Sequence, residues 1–104
     1  MKRESDFQGG LIKEIEKRFP GSIVTKLDAN HIQGIPDLLI LHKNKWATLE
    51  CKKSEKEMEK CVSKNTPPNQ KYYVDLMNKM SFSSYIYPEN KEDVLNDLQR
   101  TFES

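Results

Sequence analysis

The sequence predicts a mixed α/β fold in which a small β-sheet is flanked by helices. Apolar residues recur at helical spacing near both ends of the chain, and short apolar or β-branched runs bounded by turn residues occupy its middle. A chain of 104 residues can bury a modest core, so we expect a single domain over residues 1–104.

The predicted elements follow the order α-β-β-β-α-β-α. They are a helix at 5–19, strands at 22–27, 37–42 and 46–52, a helix opened by Thr66-Pro67-Pro68, a strand at 83–87 and a last helix after Asn90. The first helix ends where Pro20-Gly21 stops its apolar pattern. The charged stretch 53–66 is either a loop or a short solvated helix.

Composition excludes several classes of protein. The 17 basic and 16 acidic residues nearly balance, so binding nucleic acid through bulk charge alone is not expected, although lysines cluster between residues 43 and 64. No stretch approaches the ~20 apolar residues of a membrane span, and the first ten residues lack the apolar run of a signal peptide. Two cysteines are too few for a disulfide framework, so we expect a cytoplasmic protein without membrane contact.

Acidic residues and a lysine stand at the edge of the predicted sheet. Side chains alternate along a strand, and the apolar residues of 46–52 share one face, so Glu50 and Lys52 must stand together on the other. Asp37 enters the neighbouring strand and can reach the same face. Two carboxylates held close repel each other unless a proton or cation lies between them, and oxygen ligands suit Mg²⁺. The pattern predicts a phosphodiester-hydrolysing site; the alternative is an exposed Glu50–Lys52 ion pair worth well under ~1 kcal/mol.

The first helix carries a further acid. At 100° per residue, Glu4 lies at the centre of the apolar stripe of the helix, and Gln8 lies within that stripe, whereas Glu14 and Glu16 lie on its flanks. Glu4 either frays into solvent near the terminus or points at the sheet as a third carboxylate.

These residues resemble the PD-(D/E)XK nuclease signature. Gly34-Ile35-Pro36-Asp37 followed by Glu50-Cys51-Lys52 matches its two motifs, and Glu4-x-x-x-Gln8 and Gln70 extend the resemblance to about residues 4–80. The G-x-P-D form is similar to the VRR-NUC branch and its small phage-type endonucleases, which are related to Holliday-junction resolvases. The resemblance implies a restriction-endonuclease-like core and a phage-encoded enzyme acting inside a host cell.

The resemblance also implies a role for each motif residue. Asp37 and Glu50 would bind Mg²⁺ or Mn²⁺ together with the backbone carbonyl of Cys51, and Lys52 would position the attacking water. Glu4 would complete the site directly or through water, with Glu14 as the alternative helix acid. Gln70 would lie beside the lysine and align the water or the scissile phosphate.

The expected function is therefore metal-dependent endonucleolytic cleavage of duplex or branched DNA. The alternative is a catalytically silent nucleic-acid-binding or regulatory module on the same fold. Such a short chain offers little surface to grip DNA, so we hypothesise a homodimer that pairs two sites. A zinc site is disfavoured because His31, His42, Cys51 and Cys61 lack paired spacing.

Overall fold

A computed structural model describes residues 3–104 and confirms an α/β fold with a mixed sheet between helices. Its helices are α1 (Glu4–Arg18), α2 (Glu55–Lys64), α3 (Gln70–Met80) and α4 (Lys91–Glu103), and its strands are β1 (Ile23–Lys26), β2 (Leu38–His42), β3 (Lys45–Cys51) and β4 (Phe82–Ile86). No helix within residues 3–104 has both the length and the apolar character that crossing a membrane requires.

The sheet has the strand order β1-β2-β3-β4, with β3 at its interior. The first three strands are antiparallel, and the left-handed residues Lys43 and Asn44 close the tight turn between β2 and β3. Strand β4 is parallel to β3, so the chain must cross over between them, and α2 and α3 make that crossing.

The main core lies between one face of the sheet and helices α1 and α4. Leu11 and Ile15 from α1 and Leu98 from α4 are each at most 2% exposed, and they pack against the sheet side chains of Leu38 and Leu49. Burying one such leucine or isoleucine contributes about 1.5–3 kcal/mol, so this layer supplies much of the stability of the fold.

Helix α3 covers the opposite face of the central strands. Thr48 Oγ1 is buried on that face, donates to Ser83 Oγ at 2.8 Å and lies 3.4 Å from Met77 Sδ of the helix. Both faces of β3 are therefore covered. Five consecutive residues at its end, from Ala47 to Cys51, are buried, whereas the sequence indicated burial of the apolar face alone.

The charged stretch that the sequence left undecided is helical, so the structure has one helix more than the predicted order. Ser54 Oγ accepts a hydrogen bond from the Glu57 N–H at 3.1 Å and thereby caps the start of α2. Asn65 ends the helix in the left-handed conformation, with φ 49°. No residue of α2 is fully buried; its apolar residues Met58, Cys61 and Val62 lie on one face and are half-buried.

The predicted start of the following helix is wrong. Thr66 does not cap it; the Thr66 hydroxyl donates to the Lys64 carbonyl of the preceding helix at 3.0 Å. Asn69 adopts a left-handed backbone with φ 74°, so regular helix cannot run through it, and α3 begins at Gln70. Residues 66–69 form a loop that leads into the helix.

Candidate functional site

Asp37 and Glu50 meet at one end of the β2–β3 hairpin. Leu38 pairs with Leu49, and continuing this register by one residue places Asp37 opposite Glu50 on the same face. Asp37 Oδ2 accepts a hydrogen bond from the Cys51 N–H at 2.9 Å, which fixes its carboxylate against β3. Glu50 is 2% exposed. The hairpin therefore holds two carboxyl groups together at the end of the sheet.

Lys52 and Gln70 lie beside this pair of carboxyl groups. Lys52 Nζ lies 3.5 Å from Glu50 Oε2 and donates to Gln70 Oε1 at 2.8 Å. The Lys52 and Glu50 side chains are 6% and 3% exposed, so the alternative of an exposed ion pair is wrong. Removing one partner of such a buried pair would leave the other charge uncompensated, which is strongly destabilising.

Glu50 retains an unused hydrogen-bonding capacity. Its Oε1 is buried and has no hydrogen-bond partner among the described residues. Burial and, to a smaller extent, the Asp37 charge raise the pKa of Glu50 to about 8, against the opposing effect of Lys52. Burial also raises the pKa of Asp37, an effect partly offset by the Cys51 N–H and by Lys52. A buried and a half-buried carboxyl group held this close together are stabilised by a shared proton or by a bound cation.

Of the two candidate helix acids, Glu4 lies within the electrostatic reach of the site. Glu4 is exposed as a residue, but partial burial of its carboxyl group raises its pKa, Asp37 raises it further, and Lys52 lowers it. Glu14 instead accepts a hydrogen bond from Lys91 Nζ at 2.9 Å and links α1 to α4. The start of α1, rather than its middle, faces the sheet end that carries Asp37.

The carboxyl groups fit a hard divalent cation. Within residues 3–104 no three His, Cys, Asp or Glu side chains are gathered closely enough to hold a metal ion by themselves. Mg²⁺ needs fewer, because it takes one or two carboxylates and keeps several waters. The N–H and C=O of a strand residue point the same way, so the Cys51 carbonyl faces Asp37. Asp37, Glu50 with its free Oε1, and the Cys51 carbonyl are therefore a suitable donor set.

The four residues considered for zinc are not brought together. The His42 ring packs between Phe19 and Phe102, with ring centroids 5.7 and 5.2 Å away. Cys51 is buried at the other end of the sheet, and burial raises the pKa of its thiol, which disfavours the thiolate that zinc requires.

Gly34 joins the loop before Asp37 to the loop before Gln70. Its backbone φ is +88°, and a Cβ there would lie 2.7 Å from Asn69 Cβ and 2.8 Å from the Pro68 carbonyl oxygen. Only glycine allows the two loops to approach so closely. The sequence motif included Gly34, but this contact depends on a residue 35 positions later in the chain.

Tyr85 is a site neighbour that sequence reasoning missed. It pairs with Glu50 across β3 and β4, and its pKa is raised to about 12 by burial and then by the Glu50 charge. The parallel register of β4 decides which residue lies next to Glu50. Sequence alternation alone does not give that register.

No protein-family model, curated protein or solved structure matches this chain.

Proposed function

We propose that this protein is a metal-dependent DNA endonuclease with a restriction-endonuclease-like core of the PD-(D/E)XK type. The observation that carries the proposal is the group of buried Glu50 and Lys52 with half-buried Asp37, in which Glu50 Oε1 has no hydrogen-bond partner within residues 3–104. A purely structural ion pair would be expected to satisfy both carboxylate oxygens, because an unpaired buried polar atom costs about 1–3 kcal/mol.

In this proposal the residues divide the work of phosphodiester hydrolysis. Asp37, Glu50 and the Cys51 carbonyl would hold Mg²⁺ or Mn²⁺, which supplies positive charge to the scissile phosphate and acidifies water. Lys52 would donate a hydrogen bond to the attacking water or to a phosphate oxygen. Gln70 orients the Lys52 amino group through their 2.8 Å hydrogen bond. Glu4 would accept a hydrogen bond from water at the open side of the site.

Cleavage of supercoiled plasmid beside a synthetic four-way junction tests this proposal. Each substrate is incubated with Mg²⁺, with Mn²⁺ or with EDTA, and the protein is wild type, Glu50→Gln or Lys52→Ala. Glu14→Gln is the matched control, because Glu14 pairs with Lys91 outside the site. We expect metal-dependent cutting by wild type and the control, and a loss of at least about 100-fold in the site variants.

The outcomes separate the proposal from its rival. Cutting that survives in folded Glu50→Gln and Lys52→Ala would point to a contaminating nuclease or to another site. Folded wild-type protein that binds both DNA forms but cuts neither with either metal would favour the catalytically silent binding module.

The proposal extends to a homodimer that places two sites on one duplex or junction. The chain is small, with a radius of gyration of 12.9 Å, so one copy contacts only a short stretch of DNA. Light scattering over a dilution series checks this expectation. A protein that stays monomeric while cutting both strands would remove the dimer from the proposal.

A further inference from the structure

A cleft opens beside Lys52, between α2 and the loop that follows it. Its volume is about 400 Å³, within the range of ligand sites in proteins, and Lys52 is one of its lining residues. The other lining residues, from α2 and the loop after it, are Glu57, Lys60, Cys61, Lys64, Thr66 and Pro67. The cleft is therefore lined by the proposed catalytic lysine and by two lysines of α2.

Two lysines of this cleft carry uncompensated charge. Lys60 and Lys64 are exposed, and neither forms an ion pair with any of residues 3–104, whereas Lys71 and Lys91 each pair with a carboxylate. They are four residues apart, which places them on the same side of α2 and about 6 Å apart along its axis. The cleft thus presents two adjacent ammonium groups to its contents.

One acid also lines the cleft. Glu57 Oε1 accepts a weak hydrogen bond from the Cys61 thiol, 3.8 Å away, and its charge raises the pKa of Glu4. Glu57 therefore lies within electrostatic reach of the start of α1. The part that Lys60, Lys64 and Pro67 surround remains positive and partly apolar, which suits a chain of phosphates joined by sugars.

We propose that this cleft binds the phosphodiester backbone of the DNA strand next to the scissile phosphate. Lys60 and Lys64 contact neighbouring phosphates, and a deoxyribose packs against Thr66 and Pro67. The strand then runs toward Lys52, where the reacting phosphate lies. This inference rests on the proposed nuclease function, to which it adds the path of one strand and the residues that grip it.

Salt dependence of DNA binding tests the inference without cleavage. Affinity for a short fluorescent duplex is measured by anisotropy between about 50 and 200 mM NaCl, in EDTA and again in Ca²⁺. The double variant Lys60→Ala/Lys64→Ala is compared with Lys13→Ala/Lys17→Ala, a pair of exposed lysines with the same spacing on α1. Circular dichroism checks that both variants are folded.

We expect the slope of log K against log salt to fall by about two in the cleft variant, since each phosphate contact contributes about 0.9. The α1 variant keeps the wild-type slope, and Lys60→Arg/Lys64→Arg keeps it as well, because the charge is retained. In cleavage assays the cleft variant has a raised KM with kcat little changed.

Several results would overturn the inference. They are an unchanged slope in the cleft variant, an equal fall in the α1 variant, or wild-type protein that binds no duplex in either EDTA or Ca²⁺. Inorganic phosphate that competes as well as the duplex does, per phosphate, would show that the cleft takes isolated anions and would also overturn it. A reduced slope in the cleft variant, with no cleavage by wild-type protein, would support DNA binding in the cleft and reject the nuclease function. Cleavage by wild-type protein, with an unchanged slope in the cleft variant, would support the nuclease function and reject DNA binding in the cleft.

Discussion

Burial and the Asp37 charge both oppose ionisation of Glu50. In EDTA we expect the free energy of unfolding to fall as pH rises, because the folded protein holds the Glu50 proton more tightly than the unfolded chain does. The stabilisation is complete below the ordinary pKa of 4.5 and is lost as pH rises through about 8. The full effect is at most roughly 5 kcal/mol. Urea unfolding between pH 5 and 9 measures it.

Glu50→Gln separates this effect from the other carboxyl groups. The amide cannot ionise, so the variant should be more stable than wild type at pH 8 and depend less on pH, while Asp37 and Glu4 keep a smaller dependence. Glu14→Gln, outside the site, should retain the wild-type profile. Equal pH profiles for wild type and Glu50→Gln would mean that Glu50 is not protonated in the folded protein.

A divalent cation should replace the proton at this site. At pH 8, we expect Mn²⁺ or Mg²⁺ to raise the Tm of wild-type protein, because an ion that binds only the folded state stabilises it by RT ln(1 + [L]/Kd). At an ion concentration 100 times the Kd, this amounts to about 2.7 kcal/mol. Glu50→Gln should lose the shift, and Glu14→Gln should keep it. The same rise in Tm for Glu50→Gln would place the bound ion elsewhere.

At the scale of the residue, strand alternation was sufficient to group Glu50 with Lys52 and to bring Asp37 toward them. Alternation did not predict that Glu50 and Lys52 are buried. Helix α3 covers this face of the sheet, and its first residue, Gln70, lies 18 residues beyond Lys52 in the sequence. The choice between Glu4 and Glu14 likewise required the structure, since the partner of Glu14 lies 77 residues away on α4.

Gly34 links two elements of the site, and its substitution tests that link. Gly34→Ala adds a Cβ 2.7 Å from Asn69 at a backbone φ of +88°, so the loops must separate. We expect a loss of about 1–3 kcal/mol in the free energy of unfolding, from the strained backbone. Displacement of Gln70 from Lys52 should also lower kcat.

The control for this change is Gly9→Ala on α1. Among residues 3–104, a Cβ at Gly9 would meet no atom within 4 Å apart from its chain neighbours and the backbone of its own helix. Alanine favours a helix over glycine by about 0.5–1 kcal/mol, so this variant should gain stability and keep its activity. If Gly34→Ala were as stable and active as Gly9→Ala, the contact between the two loops would have no role in holding the site.

The elements differed in how well the sequence predicted them, and the reason is burial. The first and last helices and the central hairpin bury an apolar face, which gives a clear period, and their bounds agree with prediction to within one or two residues. Helix α2 has no fully buried residue and is highly charged, so its sequence left a loop and a short helix both open. The prediction that Thr66-Pro67-Pro68 opens α3 was wrong, because residues 66–69 form a loop in which Asn69 has a left-handed backbone, and the helix begins only after it.

At the scale of the whole molecule, the apolar core and the candidate site lie on opposite faces of one sheet. The apolar core with α1 and α4 lies on one face, and the polar row that ends in Glu50 and Lys52 lies on the other. The two faces share β3, whose backbone is hydrogen-bonded on both sides. The core can therefore offset the cost of the buried charges while its own apolar side chains face away from the candidate site.

We expect local stability against opening to differ between elements and to be low in α2. Since α2 has no buried residue, whereas five of the seven residues of β3 are buried, we expect backbone amides of α2 to exchange with deuterium well before those of β3. Hydrogen exchange followed by mass spectrometry or NMR checks this order. Amides of α2 that exchange as slowly as those of β3 would contradict it.

Local opening of α2 also makes this helix a natural cutting point for trypsin, which cleaves after Lys56, Lys60 and Lys64, while the sheet and its core remain closed. If a DNA strand lies along the cleft, it should shield Lys60 and Lys64 from the protease. Cleavage after Lys60 and Lys64 should then be slower in the protein–DNA complex than in the free protein, which would show where on α2 the strand binds.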